Sequence, residues 1–404
     1  VQFYIDITNS AGAKFGSGPI TSATFWRSTE RVDRAGNFRF SFPASDEKAS
    51  IIQKRRYAHC YAILDTGPTE IGFGGIIDLV DYAPDPDGNV MIVVSGDDLL
   101  RELAWRSVEF LALYSGTSPI THADAVTALL TKMPAGWSRT AASSPGNNDI
   151  YYEFAGESCL AAAIKLAELS RCHVWMNNSR NLKFDTTFPD SGLRAIEAPV
   201  NPDVTDANTC FIEQLTWNED TFDLISRALP YGGEIVGGSG ALTTLADCTK
   251  AAPSGYTLDT TNKYIKADQA EIDYGRVEGW MKFPDIRANS TAAADKESAS
   301  NQLFDLALRD LQLRSEPAQF FQLSLAHAPE IIRPFQTIKC LFRRVADNRV
   351  VVNVNQDLYI MGATTEINDQ ELRTTALDVA TVDRWQDTDV TPIAEMTRNN
   401  LRIG

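Results

Sequence analysis

Four histidines, at positions 59, 122, 173 and 327, are the side chains whose charge changes near neutral pH. None lies in an H-E-x-x-H spacing, so the paired imidazoles of a zincin helix are absent. Cys172 and His173 are neighbours in a strand-like run, which turns their side chains to opposite faces and argues against a thiolate–imidazole pair. Ser158 stands in Gly156-Glu157-Ser158-Cys159-Leu160, without the second glycine of a nucleophile elbow, and reads as a helix-start residue. Asp85, Asp87 and Asn89 copy the first ligands of a calcium loop, but Val90 and Gly96 stand where that loop needs glycine and glutamate. A plain hairpin turn is expected there. The glycines at 232, 233, 237, 238 and 240 match neither G-x-x-x-x-G-K nor a strand-led G-x-G-x-x-G, so a flexible loop is expected and not a phosphate cradle. Carboxylate pairs such as Asp97-Asp98 arise by chance among 53 acidic residues and define no glycan-cleaving pocket. The residue types nominate no catalytic side chain, no cofactor contact and no metal-ligand set.

Charge and cysteine usage narrow the class. The formal net charge is -16, opposite to the basic face a static nucleic-acid binder needs, and ordinary acidic solubility explains it first. Lys54-Arg55-Arg56 reads as a solvated strand edge that guards against wrong pairing, with a partner contact as the alternative. The six cysteines, at 60, 159, 172, 210, 248 and 340, form no C-x-x-C pair and read as buried, reduced thiols of a protein folded in a cytoplasm. No apolar run approaches the ~18 residues of a membrane span. The opening Val1-Gln2-Phe3-Tyr4-Ile5-Asp6-Ile7 alternates like a strand and lacks the marks of a signal peptide, so no membrane anchor is expected.

The elements that would position any site are strands at both ends, with helices between. Phe38, Phe40 and Phe42 alternate with Arg39 and Ser41, the period-two mark of a half-buried strand. Residues 33–37 supply a glycine-containing turn to the preceding run 24–29, which makes a hairpin. Strands are also expected at 57–64, 71–82 and 90–95, giving a small antiparallel barrel or sandwich. Then the pattern changes. Gly96-Asp97-Asp98 before Leu99, Leu100 and Leu103 predicts a capped short helix. Thr121 and Asp124 approximate a capping box ahead of Val126, Leu129, Leu130 and Met133, which share one helical face. A third helix is expected near 157–170, with strands near 173–176 and 182–184. Later strands are expected at 209–217, 320–326, 337–343, 350–354, 358–365 and 374–382, with Asn355-Gln356-Asp357 as a break. A long helix is expected over 291–314. The fold class is therefore mainly β with α/β inserts. The first barrel takes 1–96, an α/β insert 97–195, a discontinuous second barrel 196–235 and 318–385, a mixed α/β insert 236–317, and a polar C-terminal extension 386–404.

Four segments resemble the hub proteins at the tail tip or baseplate of long-tailed phages and contractile injection particles. The first is Thr29-Glu30-Arg31-Val32-Asp33 leading into Asn37-Phe38-Arg39-Phe40-Ser41-Phe42-Pro43-Ala44 and on from Ser45 to Ile51. The second joins Phe73-Gly74-Gly75-Ile76-Ile77 to Val94-Ser95-Gly96-Asp97-Asp98-Leu99-Leu100-Arg101-Glu102-Leu103. The third is Tyr274-Gly275-Arg276-Val277-Glu278. The fourth runs from Ile331 through Arg333-Pro334-Phe335-Gln336-Thr337-Ile338 to Asp357-Leu358-Tyr359-Ile360 and Thr374 to Trp385.

The resemblance implies two barrels that are like the tail-tube subunit. It implies a homotrimer at the virion tail tip joining the hexameric tube, or a distal tail protein, to a spike or fibre. The tape measure protein would be a further partner, and DNA would pass only in transit through the lumen. Many relatives carry a fibre, peptidase or lysozyme-like extension; the chain ends at Gly404, so such functions are expected of another subunit. The expected role is structural and not enzymatic, the alternatives being a peptidoglycan hydrolase or a carbohydrate-binding receptor module. Two further expectations follow: acidic side chains line the ring's bore, and ring contacts run edge to edge between barrel one and barrel two of the next copy.

Overall fold

The computed structural model describes residues 2–64, 67–84, 88–115, 118–178, 180–198, 206–221, 224–284, 286–346, 349–370 and 372–382. The acidic turn expected at 85–89 lies largely outside these residues, and the extension 386–404 wholly so. The chain divides into two compact units, Val1–Trp217 with Phe321–Gly404, and Asn218–Phe320.

In the first unit, strands Phe3–Thr8, Tyr57–Leu64, Gly67–Pro84, Val90–Asp98, Asn37–Pro43 and Phe25–Arg31 lie side by side in that order, all antiparallel. Alternation buries Phe38, Phe40 and Phe42 and leaves Arg39 exposed. Trp26 and these phenylalanines stack with ring centroids 5.6 to 6.3 Å apart. The column dictates glycine beside it. A Cβ on Gly75 would meet the Phe38 ring at 2.2 Å, and one on Gly96 the Ile76 carbonyl oxygen at 1.8 Å. Phe3–Thr8 ends this row of strands, and the connecting segment folds back onto it, where Ile5 and Ile20 exchange backbone hydrogen bonds of 3.0 and 2.8 Å.

The second barrel closes on itself. Arg349–Ile367, Gln336–Ala346, Asp190–Glu197, Thr209–Asp220, Ala318–His327 and Arg373–Ala380 follow one another, and the last pairs again with the first. Leu323, Leu325, Ile338, Cys340, Leu358, Ile360 and Leu377 fill it. Phe25–Arg31 also pairs with Arg349–Ile367, from Trp26 opposite Ile367 to Arg31 opposite Gly362, so one twelve-stranded sheet runs through both barrels.

Several details depart from the sequence reading. Asp190–Glu197 is a barrel strand, and it runs parallel to both neighbours. Arg227–Gly232 pairs inside the second unit and not in the barrel. Asn355-Gln356-Asp357 continues a strand, because its backbone stays paired with 339–341 while exposed Asn355 and Asp357 alternate with buried Val354 and Leu358. The strand before the short helix Arg101–Ala104 extends through Asp98, whose carboxyl accepts the Leu100 N–H at 2.9 Å. The edge-to-edge ring contact loses its footing: the second barrel has no terminal strand, and Phe25–Arg31 is already paired within the chain.

The α/β insert packs helices His122–Leu130 and Cys159–Ser170 with a four-stranded and a three-stranded sheet. Thr121 caps the first helix, accepting the Asp124 N–H at 3.2 Å. In the second unit, helix Ala293–Arg314 buries Leu303, Phe304, Leu306 and Leu311 in one core with the sheet Tyr256–Asp259, Tyr264–Ala267, Arg227–Gly232 and Glu278–Phe283. Gly232 ends a strand and Gly233 follows it in a bend. Their added Cβ atoms would sit 2.1 and 2.4 Å from the Ile286 and Pro284 carbonyl oxygens, so close backbone packing requires them.

Candidate functional site

The side chains nominated first by chemistry take structural partners. Ser158 is a helix N-cap, accepting the Ala161 N–H at 3.1 Å. His122 is fully buried; one ring nitrogen lies 2.7 Å from the Ser170 hydroxyl and the other accepts the Ala142 N–H at 3.2 Å. His59 meets Glu70 at 2.7 Å, and His173 meets Asp33 at 2.7 Å. All six cysteines are free thiols, five of them buried, and burial pushes Cys210 and Cys340 up to about 12. The basic triplet is not simply solvated. Arg56 donates to the Ile51 carbonyl at 2.7 Å and covers the Phe15 ring, while Arg55 lies over Trp105. Among the described residues, no group of three His, Cys, Asp or Glu could hold a metal ion, and no helix is long and apolar enough to cross a membrane.

What these residues build is a set of junctions inside the first unit. Glu102 is one. Its carboxylate accepts Tyr57 Oη at 2.6 Å, Trp137 Nε1 at 2.7 Å, and Arg180 Nε and Nη2 at 3.0 and 2.7 Å. Burial raises its pKa, but the hydrogen bonds from Arg180, Tyr57 and Trp137 outweigh that and hold the carboxyl below its usual range. Tyr57 belongs to the first barrel and the other donors to the insert, so one carboxylate fastens the two.

The second junction is aromatic. Phe335, before the second barrel's strand Gln336–Ala346, stacks on Trp175 of the insert at 3.5 Å and packs against Phe188, with buried Val32 from the end of the first hairpin strand. Asp33 secures the same place: its carboxylate accepts the Val174 N–H at 2.8 Å, and its own N–H donates to the Val174 carbonyl. Both Asp33 and Phe335 hold positive φ, of 58° and 64°, sustained by the Val174 hydrogen bonds of Asp33 and the buried packing of Phe335. The third junction is the ion pair of Arg333 with Glu30; Arg333 also donates to the Glu70 carbonyl at 2.9 Å. These contacts hold two barrels and an insert in one arrangement. They present no nucleophile–base pair facing a cleft.

The comparisons match this architecture. No family model matches the sequence, and no curated protein matches it. Solved structures do. A tail protein from Neisseria meningitidis MC58 has a TM-score of 0.57 at 13% identity, with 94% of this chain and 97% of that one covered. Prophage tail protein gp18 from Listeria monocytogenes EGD-e gives 0.58 at 10% identity, with 98% and 99% covered. The 43 kDa tail protein of prophage MuSo2 from Shewanella oneidensis gives 0.55 at 11% identity, with 93% and 98% covered. The chain has the fold of phage tail proteins. In this fold Gly75 and Gly96 clear space beside the Phe38 column, and Glu102 and Arg333 tie domains together.

His122 carries a testable consequence inside that frame. Burial holds it down at about 4, against an unfolded value near 6.5. The unfolded chain therefore binds a proton that the folded chain refuses as pH falls from 6.5 to 4. Relative to a His122→Gln variant, the wild type is expected to lose about 3 kcal/mol across that window. Urea melts of both proteins at pH 4.5 and 7 check it; parallel curves would count against a neutral, buried imidazole.

Proposed function

We propose that this chain is a structural hub of a phage tail tip. Three copies close a ring that joins the hexameric tail tube to the tip, spike or fibre and forms part of the channel for DNA ejection. The observation that carries the reading is a closed six-stranded barrel continuous with a second set of six antiparallel strands, within a fold shared with tail proteins over 93 to 98% of the chain. Two barrels in each of three chains offer six similar positions to a sixfold tube, and the inserts reduce that likeness to threefold on the other side. Because the second barrel is closed, copies meet through side-chain faces and not by extending its sheet. Acidic residues, from a net charge of -16, line the bore and keep phosphates from pairing with it. The chain's role is structural and not enzymatic. Its neighbours are the tube or distal tail protein, the tape measure protein and the spike or fibre.

Symmetry analysis of images of intact particles is the test. Three copies per ring, with acids facing the channel, are expected. Six copies per ring, or a lone monomer in the assembled particle, would refute the adaptor. Release of soluble fragments from peptidoglycan by the purified chain, abolished by one carboxylate substitution, would make it a hydrolase instead.

A further inference from the structure

We propose that the open cleft between the first barrel and the α/β insert binds an anionic sugar unit, one bearing a carboxylate or a phosphate. The inference does not rest on the hub reading. The cleft has a volume of ≈ 570 Å³, within the range of small-ligand sites, and its lining includes Tyr57, Glu102, Trp105, Arg106, Gly136 and Arg180.

Its charge runs against that of the chain. Glu102 is the sole acid in the lining, and its oxygens are already taken by Tyr57, Trp137 and Arg180. Arg106 lines the cleft, exposed and without an acidic partner among the described residues, and Arg55 stands over Trp105 at 5.1 Å in the same condition. Two uncompensated guanidiniums therefore flank the cleft in a protein of net charge -16. A guanidinium pairs a carboxylate or phosphate through two parallel hydrogen bonds.

The wall supplies the other half of the chemistry. Trp105 is 42% exposed. Arg55 covers one face of this rigid, apolar ring, so the opposite face is the platform for the C–H face of a sugar, and Arg55 limits where its acid group can lie. The backbone supports the assignment. Arg55 and Arg180 hold positive φ, of 66° and 57°, where glycine or asparagine would sit at less cost. Arg180 meets that cost through its bonds to Glu102. Arg55 is held by its backbone, whose N–H donates to the Ile77 carbonyl at 2.7 Å, and its guanidinium stands over Trp105. The cleft binds and does not cleave: hydrolysis of a glycosidic bond takes two carboxyl groups, and the only one here is saturated.

Isothermal titration of the full chain with glucuronate, glucose 1-phosphate, glucose and inorganic phosphate tests this. Saturable binding of at least one acidic sugar in the millimolar range is expected, with glucose and inorganic phosphate each about ten-fold weaker. The two acidic sugars distinguish carboxylate from phosphate. Arg106→Gln is expected to weaken the acidic sugar about ten-fold, and Trp105→Ala to remove its advantage over inorganic phosphate. Both sites are exposed, so unchanged thermal melts verify folding. The proposal falls if neither acidic sugar saturates, if inorganic phosphate binds as tightly as the sugars, or if neither variant alters binding. It also falls if Arg106→Gln changes only self-association, which would make the cleft a contact between copies. None of these results bears on ring symmetry, so the hub reading stands or fails separately.

Discussion

Replacing Glu102 by alanine is expected to destabilise the protein by about 3–5 kcal/mol, the cost of removing one partner from a buried charge network. Glu102 is 7% exposed and takes four hydrogen bonds from three side chains. Deleting it orphans the Trp137 N–H and the Tyr57 hydroxyl, each about 1–3 kcal/mol when buried and unpaired. It also strips the counter-charge from Arg180, whose side chain is 23% exposed and so recovers only part of its hydration. Burial and the Glu102 carboxylate push the Tyr57 hydroxyl up to about 12, so it remains a donor across the working pH range. Glu102→Gln keeps the volume and one acceptor oxygen and should cost roughly half as much. Urea denaturation with an unchanged slope measures the difference. A loss under about 1 kcal/mol for Glu102→Ala would place the contact among surface ion pairs and remove it as the fastener between barrel and insert.

The network explains how far the sequence could be read. The hairpin of Phe38, Phe40 and Phe42 was legible because strand alternation is local, and the caps at Thr121 and Ser158 because a cap needs only the next turn of helix. Asn355-Gln356-Asp357 looked like a break because those residue types favour turns, yet cross-strand partners far from them in the chain decided the outcome. Closure of the second barrel and the pairing of Trp26 with Ile367 depend on such distant partners throughout. Glu102 stood in a segment singled out by resemblance, but Tyr57, Trp137 and Arg180 come from three other places, and no periodicity brings them together. Arg55 and Arg56 were legible as basic and not as stacked, since Trp105 and Phe15 reach them only in the fold.

Raising the pH from 6.5 to 8 is expected to cost the folded protein about 2 kcal/mol through Asp98 alone. Its pKa is pushed up to about 8, first by burial; the N–H groups of Gly36 and Leu100 pull it down, and Asp97 and Glu30 push it up again. Gly36 donates to it at 2.6 Å and Leu100 at 2.9 Å, and it borders a cavity of about 20 Å³ that Glu30 also lines. The unfolded carboxyl titrates near 3.9. Below that value both states hold the proton and the full stability is present. Above it the unfolded chain releases a proton that the folded chain keeps, and stability falls by up to about 1.4 kcal/mol per pH unit until the folded value is passed. His122 acts in the opposite sense between 4 and 6.5 and masks the slope there, so pH 6.5 to 8 is the window clear of His122, and the comparison with Asp98→Asn separates the Asp98 share. Glu30, itself raised by burial, contributes in the same direction as Asp98. Asp98→Asn cannot ionise, and its single oxygen leaves one of the two N–H groups unpaired. It is expected to be less stable than the wild type at pH 6.5 by about 1–3 kcal/mol and to show a flatter profile up to pH 8. Thermal or urea melts at half-unit steps check both features, and equal slopes for the two proteins would show that Asp98 is already ionised in the fold.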